Sequence, residues 1–203
     1  LLMALESKDE KQVVSAVKDL IKNCVITRIK VDNLPSFDLE YLFLKIRGAS
    51  IGENIILTVT CLDDNETQVE ANININDVEI FKPEGHDKKI MFDENTGIVM
   101  KYPSMKEFVD REFLQKEMKT EDVYEFIADS IDQIFDSEEV YDSSTTTKKE
   151  FRTFVDNLTT KQFEKIQKFY ETSPKLSHTF KVTNPKTNKE SSYTIEGLQS
   201  FFA

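Results

Sequence analysis

Tryptophan is absent from the 203 residues, and four other residue types are scarce: two Cys, two His, five Gly and five Pro. Each shortage removes a class of chemistry. Cys24 and Cys61 lie far apart and cannot build the disulfide framework of a small secreted domain. They read as two buried free thiols of a reducing compartment. Neither they nor His86 and His178 are paired at Cys-x-x-Cys or His-x-x-x-His spacing, so no metal site and no cofactor is expected. The two histidines read as surface or turn residues in or beside hairpins. With no Gly-x-Ser-x-Gly elbow, no catalytic residue is expected either. The five glycines stand apart, which leaves no dinucleotide or phosphate-binding loop. No apolar run approaches the ~18 residues of a membrane-spanning helix, and no signal peptide is visible. A basic excess is also lacking: 37 acidic residues face 26 basic ones, for a formal charge of −11. That opposes a nucleic-acid partner, whose phosphates need neutralising, and suits a solvated surface or a basic protein partner.

What is present is a chain with 39% hydrophobic residues and 15 Phe, enough for a packed core. Its organising stretch is Leu34–Glu53, LPSFDLEYLFLKIRGASIGE. Ser36 or Asp38 is expected to cap a helix running to about Gly48. At helical spacing Leu39, Leu42, Phe43, Ile46 and Ala49 share one face, and Phe37, Tyr41 and Leu44 the opposite one. A surface helix has one apolar stripe. Two stripes place this helix between layers, with two occupants open for the second face. Either the C-terminal helices cover it, or a partner protein does.

Around that stretch the chain reads in order. LLMAL at the start looks like the end of a helix or a docking turn, and a further N-terminal segment is expected before it. Asp9–Asn23 is an amphipathic helix carrying Val13, Val17, Leu20 and Ile21. After Glu53 the period drops to two. Ile55–Leu62, Thr67–Ile75, Val78–Phe81, Lys89–Phe92 and Ile98–Tyr102 are expected as an antiparallel sheet of about five strands. Ser104-x-x-Glu107 has the form of a capping box opening a helix through Phe113. Thr120-Glu121-Asp122 is expected to cap a helix with an apolar stripe from Val123 to Phe135 and an acidic face from Glu121 to Asp136. Two more helices follow, over Phe151–Leu158 and Phe163–Tyr170, the second opened by Thr159-x-x-Gln162. Leu176–Val182 and Glu190–Ile195 form a hairpin, and Leu198, Phe201 and Phe202 dock on the preceding helices. The expected fold is therefore α+β: a central antiparallel β-sheet flanked by an N-terminal helical segment and a C-terminal helical region ending in a β-hairpin. The expected division is 1–103 (N-terminal helices plus sheet) and 104–203 (helical region with closing hairpin).

Leu34–Glu53 with the following strand ENIILTVTC resembles the T4-like bacteriophage baseplate hub family, the hub subunits and hub assembly proteins of contractile tails. The end, LTTKQFEKIQKFYETSPKLSHTF…NPKTNKE…TIEGLQSFF, is similar to the C-terminal region of that family, and the start to the helix that follows its N-terminal β segment. The resemblance covers nearly the whole chain and carries no catalytic signature. It implies a structural component of the baseplate hub, located in the virion tail and made in the host cytoplasm. A transient assembly chaperone that leaves the mature particle is the alternative, and an unrecognised cytosolic enzyme a third. The implied partners are other baseplate and hub proteins, with no nucleic acid and no membrane; oligomerisation within the assembly stays open. Some relatives carry a Cys-x-x-Cys knuckle in the closing hairpin. Asn184-Pro185-Lys186-Thr187-Asn188 stands in that place here, so no metal expectation carries over. The residues expected at a partner interface are Phe37, Tyr41, Leu44, Leu198, Phe201 and Phe202.

Overall fold

A computed structural model describes residues 10–104 and 119–201. The chain divides into two compact units. The first joins Leu1–Phe81 to Pro174–Ala203, and the second is Lys82–Ser173. This partition follows contacts rather than chain order, and so differs from a cut at 103/104. Strand pairing draws the closing hairpin back to the N-terminal region. The fold is α+β, but the strands expected in one central sheet are shared among three antiparallel sheets. The opening LLMAL, residues 105–113 of the helix expected from Ser104 and Phe202 lie outside the described residues.

In the first unit, helix α1 (Glu10–Cys24) buries Val17 and Ile21, four residues apart on one face. Helix α2 (Ser36–Ile51) starts at Pro35, with no side-chain cap bond from that residue, and runs past Gly48. Gly48 is there for packing, since a Cβ would come 3.3 Å from the Ile75 side chain. The helix ends at Gly52, whose φ of 128° glycine adopts without strain. Leu39 and Phe43 from one stripe and Leu44 from the other are all buried. α2 does lie between layers. One layer is α1; the other is the sheet and the short turns at Ile75–Asp77 and Leu198–Phe201. The helices at 104–173 fall in the second unit, so α1 takes the place expected for them.

Strands β1 (Asn54–Thr60) and β2 (Gln68–Asn74) pair with Ile55 opposite Ile73 and Leu57 opposite Ala71, as the period-two alternation predicts. β3 (Glu79–Phe81) joins the long hairpin described below rather than this pair. In the second unit β4 (Lys89–Met91) and β5 (Gly97–Met100) are followed by helix α3 (Thr120–Asp129), β6 (Ile131–Phe135) and β7 (Val140–Asp142). These strands form one sheet in the order β4-β5-β6-β7. Helices α4 (Lys148–Asp156) and α5 (Thr160–Glu171) complete the unit, each opened by a capping box, Thr147 with Glu150 and Thr159 with Gln162. The chain then returns to the first unit as β8 (Lys175–Thr183) and β9 (Glu190–Glu196), in a sheet ordered β3-β8-β9.

The helix expected from Glu121 to Asp136 is half helix, half strand. Ser130 ends α3: its N–H is shared between the Phe126 and Ile127 carbonyls, and its hydroxyl donates to Phe126 O at 2.8 Å. Ile131, Ile134 and Phe135 then pair with β5 as β6. Their spacing also fits a helical stripe, and their β-branched and aromatic character lets the neighbouring strand decide.

Each unit has its own core. The first packs Leu44, Ile55, Ile73, Val78, Leu176 and Phe201 together. The second gathers Ile98, Met100, Ile131, Phe151, Ile166 and Phe169. Full burial of each such side chain contributes roughly 1.5–3 kcal/mol against the entropy of ordering it.

Candidate functional site

The residues expected at a partner interface turn out to be largely interior. Leu44 and Phe201 have no exposed surface and sit in the first core. A side chain without exposed surface has nothing to present to a partner in this fold, so both are core residues. Tyr41 and Leu198 are partly buried and pack against the same core, with Lys45 Nζ 5.1 Å over the Tyr41 ring. Phe37 is half-buried, and Phe202 lies outside the described residues. The structure thus brings Tyr41, Leu44, Leu198 and Phe201 together as an internal closure between α2 and the end of the chain.

One cysteine and one histidine depart from expectation, Cys24 and His86. Cys61 is buried, but Cys24, the last residue of α1, is exposed among the described residues. His178 lies on β8, its Nδ1 3.2 Å from Asp77 O. His86 is a core residue rather than a surface one. Its ring stacks on Tyr102 and Phe169, with Nε2 2.7 Å from Tyr102 Oη and Nδ1 2.9 Å from Thr172 Oγ1. The Thr172 hydroxyl donates to Lys168 O at 2.7 Å, so its oxygen accepts from His86 Nδ1–H. Nε2 is then left to accept from Tyr102 O–H, and the ring is held neutral. Burial, then the charges of Lys82 and Lys88, hold its pKa below the ordinary histidine value. Both nitrogens are committed to structural bonds.

A second polar cluster ties two turns of the first unit together. Asn184, at the β8–β9 turn, is buried and donates through Nδ2 to Asp63 Oδ1 (3.0 Å) and Asp64 Oδ2 (2.9 Å). Its Oδ1 accepts from Lys186 N–H. Thr187 Oγ1 donates to Asp63, and Asp64 also accepts from the Glu66 and Thr67 N–H groups and the Thr67 hydroxyl. These donors hold both carboxyls below the usual carboxylate range. Their oxygens are taken up by the chain itself, which makes a clasp rather than a ligand site. Among the described residues, no group of three or more His, Cys, Asp or Glu side chains is placed to hold a metal ion, and no helix is long and apolar enough to cross a membrane.

Glu40 is a half-buried polar group on α2. Desolvation pushes its pKa up to about 7, partly offset by the Leu198 N–H that donates to it. This bond links α2 to the closing Leu198–Phe201 turn, and no pattern in the sequence marked it.

The apolar residues that do face outward are different ones. Ile26, Ile51, Ile56, Leu62 and Phe81 are exposed in the first unit, and Met91, Val140 and Tyr141 in the second. β7, which carries the last two, was not expected from the sequence. Three residues are too few to show a period, and the only signal was a Val-Tyr pair behind the Asp136-Ser-Glu-Glu turn. The geometry as a whole offers surfaces for protein contact and tightly committed polar groups.

No curated protein and no solved structure matches the chain. A family model does, along residues 1–203, and its description is T4 bacteriophage base plate protein. By that match over its full length, the chain belongs to the T4 bacteriophage base plate protein family, whose role is structural, in the tail of the virion.

Proposed function

We propose that the protein is a structural component of the baseplate hub of a contractile-tail bacteriophage, acting through protein–protein contacts in tail assembly. The full-length family match carries this reading. The adjacent exposed side chains Val140 and Tyr141 support it, since grouped exposed apolar side chains on a folded surface mark contact sites. Its partners are other baseplate and hub proteins. It is made in the host cytoplasm and carried into the virion tail, with no chemical step of its own.

Mass spectrometry of purified phage particles tests the proposal. Peptides from this chain, at a fixed ratio to other baseplate proteins, are the expected result. Their absence from particles, with the chain present in infected cells bound to hub proteins, would replace the structural subunit by a transient assembly chaperone.

A further inference from the structure

The four-stranded sheet of the second unit has two edges, and they are finished differently. Along β4 the outward backbone groups belong to Lys89 and Met91, because Phe92 N–H bonds Thr96 O and Met100 N–H bonds Lys88 O, which sets the alternation. Lys89 N–H donates to Asp87 Oδ1 at 3.0 Å, and Met91 O accepts from Lys165 Nζ at 2.6 Å. A lysine and an aspartate thereby block this edge, a common protection against strand addition.

Among the described residues, β7 has no such protection. Asp136 N–H bonds Glu139 O and Ser143 N–H bonds Asp132 O, so Tyr141 exchanges its bonds with Ile134 while Val140 and Asp142 face away from β6. The Asp142 carbonyl is taken by Thr146 N–H at 2.9 Å. The Val140 N–H and C=O and the Asp142 N–H have no partner among the described residues. The side chains beside them are apolar and open: Val140 is 61% exposed and Tyr141 42%. The chain that carries them is strongly acidic, and the nearest basic group given by the structure is Lys89 of β4, whose Nζ lies 4.7 Å over the ring of Phe135, the residue paired with Val140. From Thr120 to Thr147 the chain holds nine acidic residues and no basic one. Glu138 and Glu139 stand next to Val140, and the Tyr141 hydroxyl donates to Glu139.

We propose that the β7 edge, Val140–Asp142, is a docking site for an extended, lysine- or arginine-bearing segment of another tail protein, added as a fifth strand. Backbone bonds from Val140 and Asp142 give the register, Val140 and Tyr141 give apolar contact on the two faces, and the acidic surround selects a basic strand. This deepens the proposed structural role by naming a surface and the chemistry of what it binds, and it rests on that role for the identity of the partner as a tail protein.

The test has two arms. In the first, full-length protein is mixed with a synthetic peptide of alternating valine and lysine, or with its valine–aspartate counterpart, and amide hydrogen exchange is followed at Val140 and Asp142. The lysine peptide should slow exchange at both amides and the aspartate peptide should not. Glu138→Lys with Glu139→Lys, which leaves the backbone donors in place, should weaken lysine-peptide binding about tenfold. Val140→Pro should abolish protection at Asp142; its N–H makes no bond to β6, so the sheet keeps its ladder. Absence of protection, equal protection by both peptides, or unchanged binding by the charge-reversal variant would each overturn the proposal. In the second arm the same variants are expressed during infection. Wild-type incorporation into particles with loss of both variants supports the site. Incorporation of all three to the same level overturns it and leaves the structural role intact. Particles lacking even the wild-type chain remove the structural role, and the peptide arm then decides the edge alone.

Discussion

The two units bury small sheets against helices by different routes, two sheets in the first and one in the second. The second is built from one continuous stretch, Lys82–Ser173. The first has to bring Pro174–Ala203 back to Leu1–Phe81, and its core is completed by Leu176, Val182 and Phe201 from the returning segment. Closure over so long a loop carries an entropy cost before any contact offsets it. The apolar end of the chain answers to that requirement: Leu198 and Phe201 are closing residues of a fold. Terminal apolar side chains that look like a docking turn can equally be the last pieces of a non-local core, and burial separates the two cases.

The hardest test of this difference is truncation after Ser173. It removes β8, β9 and three core side chains from the first unit, and none from the second. Cooperative unfolding of the first unit should be lost, with its amides exchanging freely while those of β5 and α5 stay protected. Residue-resolved hydrogen exchange checks this, and equal loss of protection in both units would break the comparison. Phe201→Ala is the milder version. It should cost about 3–5 kcal/mol, the usual range for a buried Phe, and the loss should fall on the first unit. Denaturant titration read at amides of each unit measures it.

How much of this was legible beforehand varies with how local the determinant is. The capping box at Thr159, the alternation in β1 and β2 and the β8–β9 hairpin are all short-range patterns, and the residues themselves place them where they stand. What failed was long-range. Nothing near Ile131 says that β5 will claim it from the end of α3, and nothing near Phe201 says that Leu44 and Leu176 will enclose it. Of the expected interface, two side chains have no exposed surface and two more pack on the same core. The open β7 edge went unseen because an open strand edge is defined by what does not pair with it and has no pattern of its own.

The units should also respond to pH with opposite signs. Glu40, in the first unit, has a folded pKa of about 7 against an ordinary 4.5. The folded state holds that proton more tightly, so the contribution is complete below 4.5 and is lost as pH rises through about 7. Its size is on the order of 2–3 kcal/mol. His86, in the second unit, is lowered from 6.5, so its contribution is complete above 6.5 and is lost as pH falls through the folded value. Between pH 8 and pH 5 the first unit should gain stability while the second loses it, as read by denaturant titration followed at amides of each unit. Glu40→Gln should flatten the first trend and leave the second; a Gln variant with the wild-type slope would remove Glu40 as its source.

Strain gives a smaller effect, confined to the second unit. A Cβ on Gly97 would lie 2.5 Å from Ile90 O and 2.6 Å from the Phe135 ring. Backbone on the neighbouring strand cannot move aside as a side chain can, so Gly97→Ala should cost about 1–3 kcal/mol and fray β4 and β6 first.

The smallest effects divide two sites on one hairpin, and the division follows burial. Asn184 is buried between Asp63 and Asp64, and its amide supplies donors to both. Asn184→Ala removes those donors and should cost about 1–3 kcal/mol, lowering protection at the tips of β1 and β8. Lys181 pairs with Glu190 at 2.7 Å on the same hairpin, but with both side chains more than half exposed. Water can replace either partner there, so Lys181→Ala should leave the unfolding midpoint unchanged within error. The two bonds look alike by distance alone. If the exposed pair proved as costly to remove as the buried amide, the closure of the first unit would depend on the outer face of its hairpin as well as on the clasp and the core beneath it.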